Sequence, residues 1–250
     1  MKYVELIVNV CNGEEYLFDT LISLVNQDYP YLKIHCFDNH STDKTIDIIN
    51  DFKLKHDNIL YYRTPSYMPL VDARLFALSE IKKQQKETFY FGFCDADDLW
   101  EVNWDSSLMK FSNQDYNLLI CNGYTLKGDI KAPYNSCLSM SRPSPFNCPV
   151  SVQSCLFNSN LIVKNKPLFD SSFPMIWDTE FWIRQGKGLT YVHISNHLFY
   201  YRIHPGSLVQ KNFFSILRER WGILKLHNLS LTRFLFDFFR QLKSIIFNFK

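Results

Sequence analysis

A chain of 250 residues, 46% hydrophobic and 21% charged, is long enough to bury one sizeable core. Its formal net charge of +2 excludes a general nucleic-acid binder, which would carry a strong basic excess. The seven cysteines (Cys11, Cys36, Cys94, Cys121, Cys137, Cys148, Cys155) are odd in number, widely spaced and without a Cys-x-x-Cys pair, which excludes a disulfide framework and a thiolate zinc site and implies a reducing compartment.

The start, Met1-Lys2-Tyr3-Val4-Glu5-Leu6, lacks the long apolar segment of a signal peptide, and no uncharged apolar run reaches membrane-spanning length. A soluble or peripheral, cytoplasmic protein is expected. Val4 to Val10 reads as an apolar strand, and Tyr16, Leu17, Thr20, Leu21, Leu24 and Val25 recur at helical spacing. Lys33 to Phe37 returns to strand, and Ile46, Ile49 and Phe52 mark a second helix, capped by Ser41 or Thr42 with Asp43 in its first turn. Ile59 to Arg63 reads as a third strand, Val71 to Ile81 as a third helix, and Phe89 to Cys94 as a buried fourth strand. Such alternation with short connections predicts a mostly parallel sheet with right-handed crossovers.

The fourth strand stops in Asp95-Ala96-Asp97-Asp98. Three like charges in four residues repel one another unless a cation sits among them, and an all-oxygen donor set suits Mg²⁺ or Mn²⁺. An acidic tetrad taken alone is more often a solvated turn with Asp98 as a cap; the apolar strand leading in and Leu99-Trp100 following at once favour the metal. At the carboxyl edge of an open α/β sheet such acids stand where ligands bind. Two further loops, Asn9-Val10-Cys11-Asn12-Gly13 and Asp38-Asn39-His40-Ser41-Thr42-Asp43, leave the same edge, whereas a glycine-rich dinucleotide fingerprint and a P-loop are absent.

Beyond this half the pattern loosens. Tyr116 to Asn122 reads as a strand, and Asp129 to Pro149, rich in Pro, Ser and Asn, as an irregular insert. Trp177-Asp178-Thr179-Glu180-Phe181-Trp182-Ile183-Arg184 reads as helical with Asp178 at its amino end, where an ordinary cap is the simpler account of one aspartate. Segment 211–250 carries eight Lys/Arg against Glu219 and Asp237, a net +6 that leaves −4 on the rest of the chain. There Leu231, Phe234, Leu235, Phe238, Leu242, Ile245, Ile246 and Phe249 recur at helical spacing. This basic amphipathic helix either lies on an anionic membrane surface or packs on its own domain or on a second subunit, as in a homodimer.

These motifs together resemble the inverting family-2 glycosyltransferases of GT-A fold. The counterparts of the family's Pro-Thr-Tyr-Asn, Gln-Thr/Asp-Tyr, Val-Asp-Asp-Gly-Ser-Thr-Asp, Ala-Arg-Asn and Asp-x-Asp motifs are Asn9 to Asn12, Asn26 to Tyr29, Phe37 to Asp43, Ala73-Arg74 and Asp95 to Asp98. Trp177 to Arg184 is similar to Glu-Asp-x-Asp/Glu-x-Trp-x-Arg, and Tyr201-Arg202-Ile203-His204-Pro205-Gly206-Ser207 to Tyr-Arg-x-His-x-x-Ser. Asn9, Cys11, Asn39, Leu75 and Trp177 depart from the family's residues.

The resemblance implies an α/β fold: a single GT-A-type Rossmann-like domain with a mostly parallel central sheet, plus a C-terminal amphipathic helical tail. It implies a nucleotide-sugar-binding half with the metal motif (1–122), an acceptor-binding half with the catalytic base (123–210) and the basic tail (211–250). Cys11, Asn12, Asp38 and Asn39 would hold the nucleoside, and Arg74 would steady the base or the diphosphate. Asp95, with Ala96 beside it, would reach the ribose or a metal-bound water. Asp97 and Asp98, with Asp95 and His204 completing the shell, would ligate Mn²⁺ or Mg²⁺. Arg202 would contact phosphate, and Asp178 would be the catalytic base, with Glu180 structural. The implied activity moves one sugar, with inversion, from a nucleotide-diphosphate sugar to a hydroxyl of a glycan or lipid-linked acceptor in bacterial surface polysaccharide or lipopolysaccharide synthesis. The donor would be a UDP-sugar, although Asn39 can donate as well as accept where an aspartate only accepts. Leu217 stands where the Gln-x-x-Arg-Trp motif of processive synthases needs its Gln, so single-sugar addition is expected. A sugar nucleotidyltransferase would show a basic glycine-rich loop, and Asn9 to Gly13 has no Lys or Arg; an inactive nucleotide-sugar-binding module is the other alternative.

Overall fold

The computed structural model describes residues 2–85, 87–136, 144–146, 148, 150–163, 166–206 and 212–247, apart from the side chains of 187, 213 and 241–247. The chain divides into two compact units: Met1–Ser136 with Ser151–Leu168 and Leu189–His204, and Cys137–Val150 with Phe169–Gly188 and Pro205–Lys250.

The first unit is built on a nine-stranded mixed sheet. Its strands are β1 (Val4–Val10), β2 (Leu32–Asp38), β3 (Ile59–Arg63), β4 (Tyr90–Asp95), β5 (Leu99–Trp100), β6 (Leu118–Lys127), β7 (Ile130–Tyr134), β8 (Cys155–Asn158) and β9 (Tyr191–Arg202). The order is β3-β2-β1-β4-β8-β6-β9-β5, with β7 paired to β6. The three longest ladders, β6 with β9, β1 with β2 and β1 with β4, are parallel. All seven residues of β1 are buried, the pattern of a strand covered on both faces. Helices α1 (Leu17–Val25), α2 (Thr45–Lys53) and α3 (Leu70–Gln84) connect the parallel strands, and α4 (Trp104–Met109) follows β5. Strands β1 to β4 and β6 and helices α1 to α3 agree with the reading of the periodicity, which depends on local burial alone.

Two local expectations change. Helix α2 begins at Thr45, and neither Ser41 nor Thr42 caps it: the Asp43 carboxylate accepts the Thr45 N–H (3.0 Å), and Ser41 Oγ instead accepts the Asn12 N–H (2.9 Å). The segment read as an irregular insert from Asp129 contains a strand, β7, paired antiparallel with β6; its residues Ile130 to Pro133 are exposed, and Pro133, which a strand tolerates at an edge, masked it among the Pro- and Ser-rich residues that follow. Most of that segment beyond Ser136, including Cys137, lies outside the described residues.

In β6, Gly123 sits under the Phe199 ring of β9, so close that an added Cβ would lie 2.4 Å from the ring. The absent side chain lets β9 pass with its register shifted between Ile120 and Gly123, and β9 then runs on to Arg202 beside β5.

The second unit is helical, with α5 (Trp177–Gln185), α6 (Phe213–Leu226) and α7 (Leu231–Phe247). The tail thus forms two helices, separated at Asn228, which takes a positive φ of 48°. Ser207, Lys211, Phe249 and Lys250 lie outside the described residues.

Candidate active site

Helix α1 shapes the acidic turn after β4. The Thr20 hydroxyl lies 3.0 Å from the carbonyl of Ala96 and 2.9 Å from that of Asp98, and the Asp98 N–H closes the turn onto the Asp95 carbonyl at 3.1 Å. One carboxylate oxygen from each of Asp95, Asp97 and Asp98 lies within 4.8 Å of the others.

The three acids have different neighbours. Asp95 accepts from Arg74, which is 2% exposed and lies against the Phe93 ring, and from the Gln153 amide. Asp97 Oδ2 pairs with His204 Nε2 at 2.7 Å. Asp98 is fully buried; its Oδ1 accepts the Arg202 N–H at 2.7 Å, while its Oδ2 has no hydrogen-bond partner among the described residues. Burial pushes the Asp98 carboxyl well up, and Asp95 and Asp97 add to that, against the opposing backbone hydrogen bond and charge of Arg202. An all-carboxylate donor set with an orphaned buried oxygen fits a hard divalent cation, which would relieve both the repulsion and the missing partner.

The β5–β9 pairing, Leu99 with Tyr200 and Trp100 with Phe199, carries Arg202 and His204 to the acids from a hundred residues away. Tyr16 joins them: its ring lies 4.8 Å from the His204 ring and 4.6 Å from the Arg202 guanidinium. Arg202 also approaches Asp19 at 3.8 Å, and its buried Nε has no hydrogen-bond partner among the described residues. Neither Gln153 nor Tyr16 carried a functional signal in the sequence: Tyr16 read only as part of the apolar face of the first helix, Gln153 belongs to no motif, and their partners are remote in the chain.

The loops after β1 and β2 are tied together. Asn12, at a positive φ of 53°, accepts the Thr42 N–H on its side-chain oxygen (2.8 Å), and the Gly13 N–H donates to Thr45 Oγ1 (2.8 Å). Cys11 is exposed beside them, its thiol pushed up by partial burial and then by Asp38 and Asp43. Asp38 is fully buried: Oδ1 accepts the Ser41 N–H at 2.9 Å, and Arg63 Nε approaches Oδ2 at 3.8 Å. The Asn39 amide turns inward, donating to the Met68 carbonyl (2.8 Å) and accepting from Thr64 Oγ1 and the Met68 N–H (both 3.1 Å). Asn12 and Asn39 therefore shape the loops with their side chains.

In the second unit Asp178 is the second residue of α5. The N-cap is Ile176, so Asp178 is not the helix cap. Its Oδ1 accepts the Thr179 N–H at 2.7 Å, and its Oδ2 accepts the Cys148 thiol at 3.3 Å. Burial and the Asp178 charge hold that thiol well above its usual range, so Cys148 stays protonated as the donor. Glu180 is fully buried, bonded to Arg184 Nε (2.8 Å) and to His227 Nε2 (3.2 Å). Glu219 of α6 accepts the N–H groups of Met175 (3.0 Å) and Ile176 (3.1 Å), satisfying donors at the start of α5. Cys148 and Glu219 were invisible in sequence because each meets its partner only through tertiary packing.

A sheet of this order, with an Asp-x-Asp turn at the carboxyl end of its fourth strand, is that of a GT-A-fold glycosyltransferase. The glycosyl transferase family 2 profile matches residues 5–151, more than half of the chain, and the chain belongs to that family. A relative in Escherichia coli, the UDP-Glc:alpha-D-GlcNAc-diphosphoundecaprenol beta-1,3-glucosyltransferase WfaP, is 26% identical over 225 residues, 88% of this chain and 84% of that protein. The structure is similar to that of Staphylococcus aureus TarS 1-349 in complex with UDP-GlcNAc, with a TM-score of 0.68 and 18% identity over 93% of this chain and 69% of that one. It is also similar to the mannosyltransferase PcManGT of Pyrobaculum calidifontis in complex with GDP-Man and Mn²⁺, with a TM-score of 0.56 and 17% identity over 87% and 60% of the two chains. These likenesses support the GT-A fold; the chain is a glycosyltransferase by family.

Proposed function

We propose that the protein transfers a single sugar, with inversion, from a UDP-sugar to a hydroxyl of a lipid-linked or polysaccharide acceptor in bacterial surface polysaccharide or lipopolysaccharide synthesis, on the cytoplasmic side. The observation that carries this reading is the acid cluster completed from β9, with His204 on Asp97 and the Arg202 amide on Asp98. The acceptor class is supported by the diphosphoundecaprenol substrate in the name of the E. coli relative, and the uridine donor by the same name and by the UDP-GlcNAc complex of TarS.

In this reading Asp97, Asp98 and His204 hold Mn²⁺ or Mg²⁺, with Asp95 beside them. When bound, the cation acts as a Lewis acid that neutralises charge on the departing diphosphate. The Arg202 guanidinium would contact the same phosphates, while Arg74 orients Asp95. Asp38, Cys11 and the joined loops line the nucleoside. Asp178 removes the proton of the acceptor hydroxyl as that oxygen attacks the anomeric carbon, and Cys148 and Thr179 fix its carboxylate. A single displacement inverts the centre and needs no carboxylate nucleophile of the two-step kind.

Replacing Asp178 by Asn tests the assignment. Sugar transfer is expected to fall by about 10²–10⁴-fold, while thermal stabilisation by UDP-sugar with Mn²⁺ persists. Undiminished transfer would remove Asp178 from the mechanism. Absence of any metal-dependent stabilisation by nucleotide sugars in the unaltered protein would remove the donor site.

A further inference from the structure

The geometry points to the α6–α7 hairpin as a docking surface for an anionic lipid bilayer. Phe214, Leu217 and Trp221 of α6 face Phe234, Leu235 and Phe238 of α7 across an apolar groove of about 450 Å³, with Arg218 at its rim. Among the described residues, seven of the sixteen exposed large hydrophobic side chains lie between positions 214 and 239. Phe214 is 84% exposed, Phe236 60% and Phe239 62%, a concentration that scattered surface residues do not produce.

Charge identifies the occupant. The two acids of the tail are withdrawn from the surface: Glu219 is 6% exposed and bonded to the start of α5, and Asp237 is 1% exposed and paired with Arg233 (2.9 Å) and Ser144 (2.6 Å). Among the described side chains of α6 and α7, every exposed formal charge is therefore a cation. Lys225 lies over the Trp221 ring at 5.4 Å and Arg233 over the Phe236 ring at 5.6 Å, which couples the charged and apolar elements. Rings that enter the acyl boundary below cations that meet anionic head groups make an interfacial helix pair. A second copy docked through the same face would bring one surface whose exposed charges are all cations against another, so like charges oppose a symmetric dimer there. No described helix is long and apolar enough to cross a membrane, so the hairpin would lie on the surface.

This inference does not depend on the proposed reaction, because the test needs no substrate. The full chain is sedimented with phosphatidylcholine vesicles with and without phosphatidylglycerol. Trp221 emission is recorded in parallel, since it is 42% exposed and the other four tryptophans are at most 5% exposed. Binding to the phosphatidylglycerol vesicles, a blue shift absent from Trp221→Phe, and release by high salt are expected. Phe214→Ser and Phe239→Ser, both at exposed positions, should each weaken partition by about tenfold. Arg218→Glu and Lys225→Glu should each weaken it by at least about fivefold, with far-UV dichroism unchanged in all four. Failure to bind either vesicle, or equal binding to both, overturns the inference. So would a lipid-free dimer that the same substitutions dissociate.

Discussion

Asp105 of α4 is fully buried, its two carboxylate oxygens make no hydrogen bond among the described residues, and burial together with the charge of Asp28 pushes its carboxyl well up. Tyr29 also faces it, and its phenol is raised by burial and then by Asp105. Below the usual aspartate range both the folded and the unfolded chain hold the proton, so nothing is lost. As pH rises past about 4 the unfolded chain releases the proton first, and stability falls until the folded group ionises as well. Asp105→Asn removes that penalty. It should raise the free energy of unfolding by on the order of 1 kcal/mol near neutral pH, with a smaller gain towards pH 4. Urea titrations at the two pH values check this, and an equal effect at both would show that Asp105 is not strained by its charge.

Individual residues also show where sequence reading stops. Asn39, where the family has aspartate, uses its N–H₂ on the Met68 carbonyl, and a carboxylate there would meet that oxygen as a second acceptor. The amide's value lies in holding the β3–α3 connection, which residue type alone could not reveal. Conversely, the Asp95 to Asp98 cluster was legible, because contiguous acids after an apolar strand share a place whatever the rest of the chain does.

Helix α5 has no side-chain cap of its own; Glu219 of α6 binds the amides of Met175 and Ile176 instead. Glu219→Ala leaves those donors unmet and should lower stability by about 1–3 kcal/mol, whereas Glu219→Gln keeps an acceptor and should recover much of the loss. Denaturant unfolding of both variants checks this. Equal losses would mean that the charge, and not the cap, is what matters. The helix itself was readable from Phe181 and Trp182, but its cap arrives from 43 residues downstream. Strand β7 escaped for another reason: it is five residues long, exposed, and carries Pro133, a residue that marks loops more often than strands and is tolerated at an edge.

At the scale of the molecule, cysteine placement agrees with a chain that uses thiols as small buried groups. Among the six described cysteines only Cys11 is exposed; burial raises Cys36 and Cys155 to about 12 and holds Cys94, Cys121 and Cys148 well up. Among these six, iodoacetamide at mildly alkaline pH should therefore modify Cys11 first in the folded protein, and Cys36, Cys94, Cys121 and Cys155 only once urea unfolds it. Peptide mass mapping over time is the measurement, and early labelling of Cys36 or Cys155 would contradict the burial. The segregation of charge, +6 in 211–250, was evident from the chain, but the burial of both its acids was not.

The sequence by itself determined the strand and helix succession of the first hundred residues and the acidic turn after β4, since each depends on periodicity or on neighbours within a few positions, while the GT-A fold class followed from the resemblance of its motifs to the family. The motif resemblance implied that His204 joins that turn, and only the tertiary structure decided how. Pairing of β5 with β9 carries Arg202 and His204 to Asp98 and Asp97, and Gln153 reaches Asp95, each across 58 or more residues. Such contacts follow from strand register and chain closure, which no local pattern encodes.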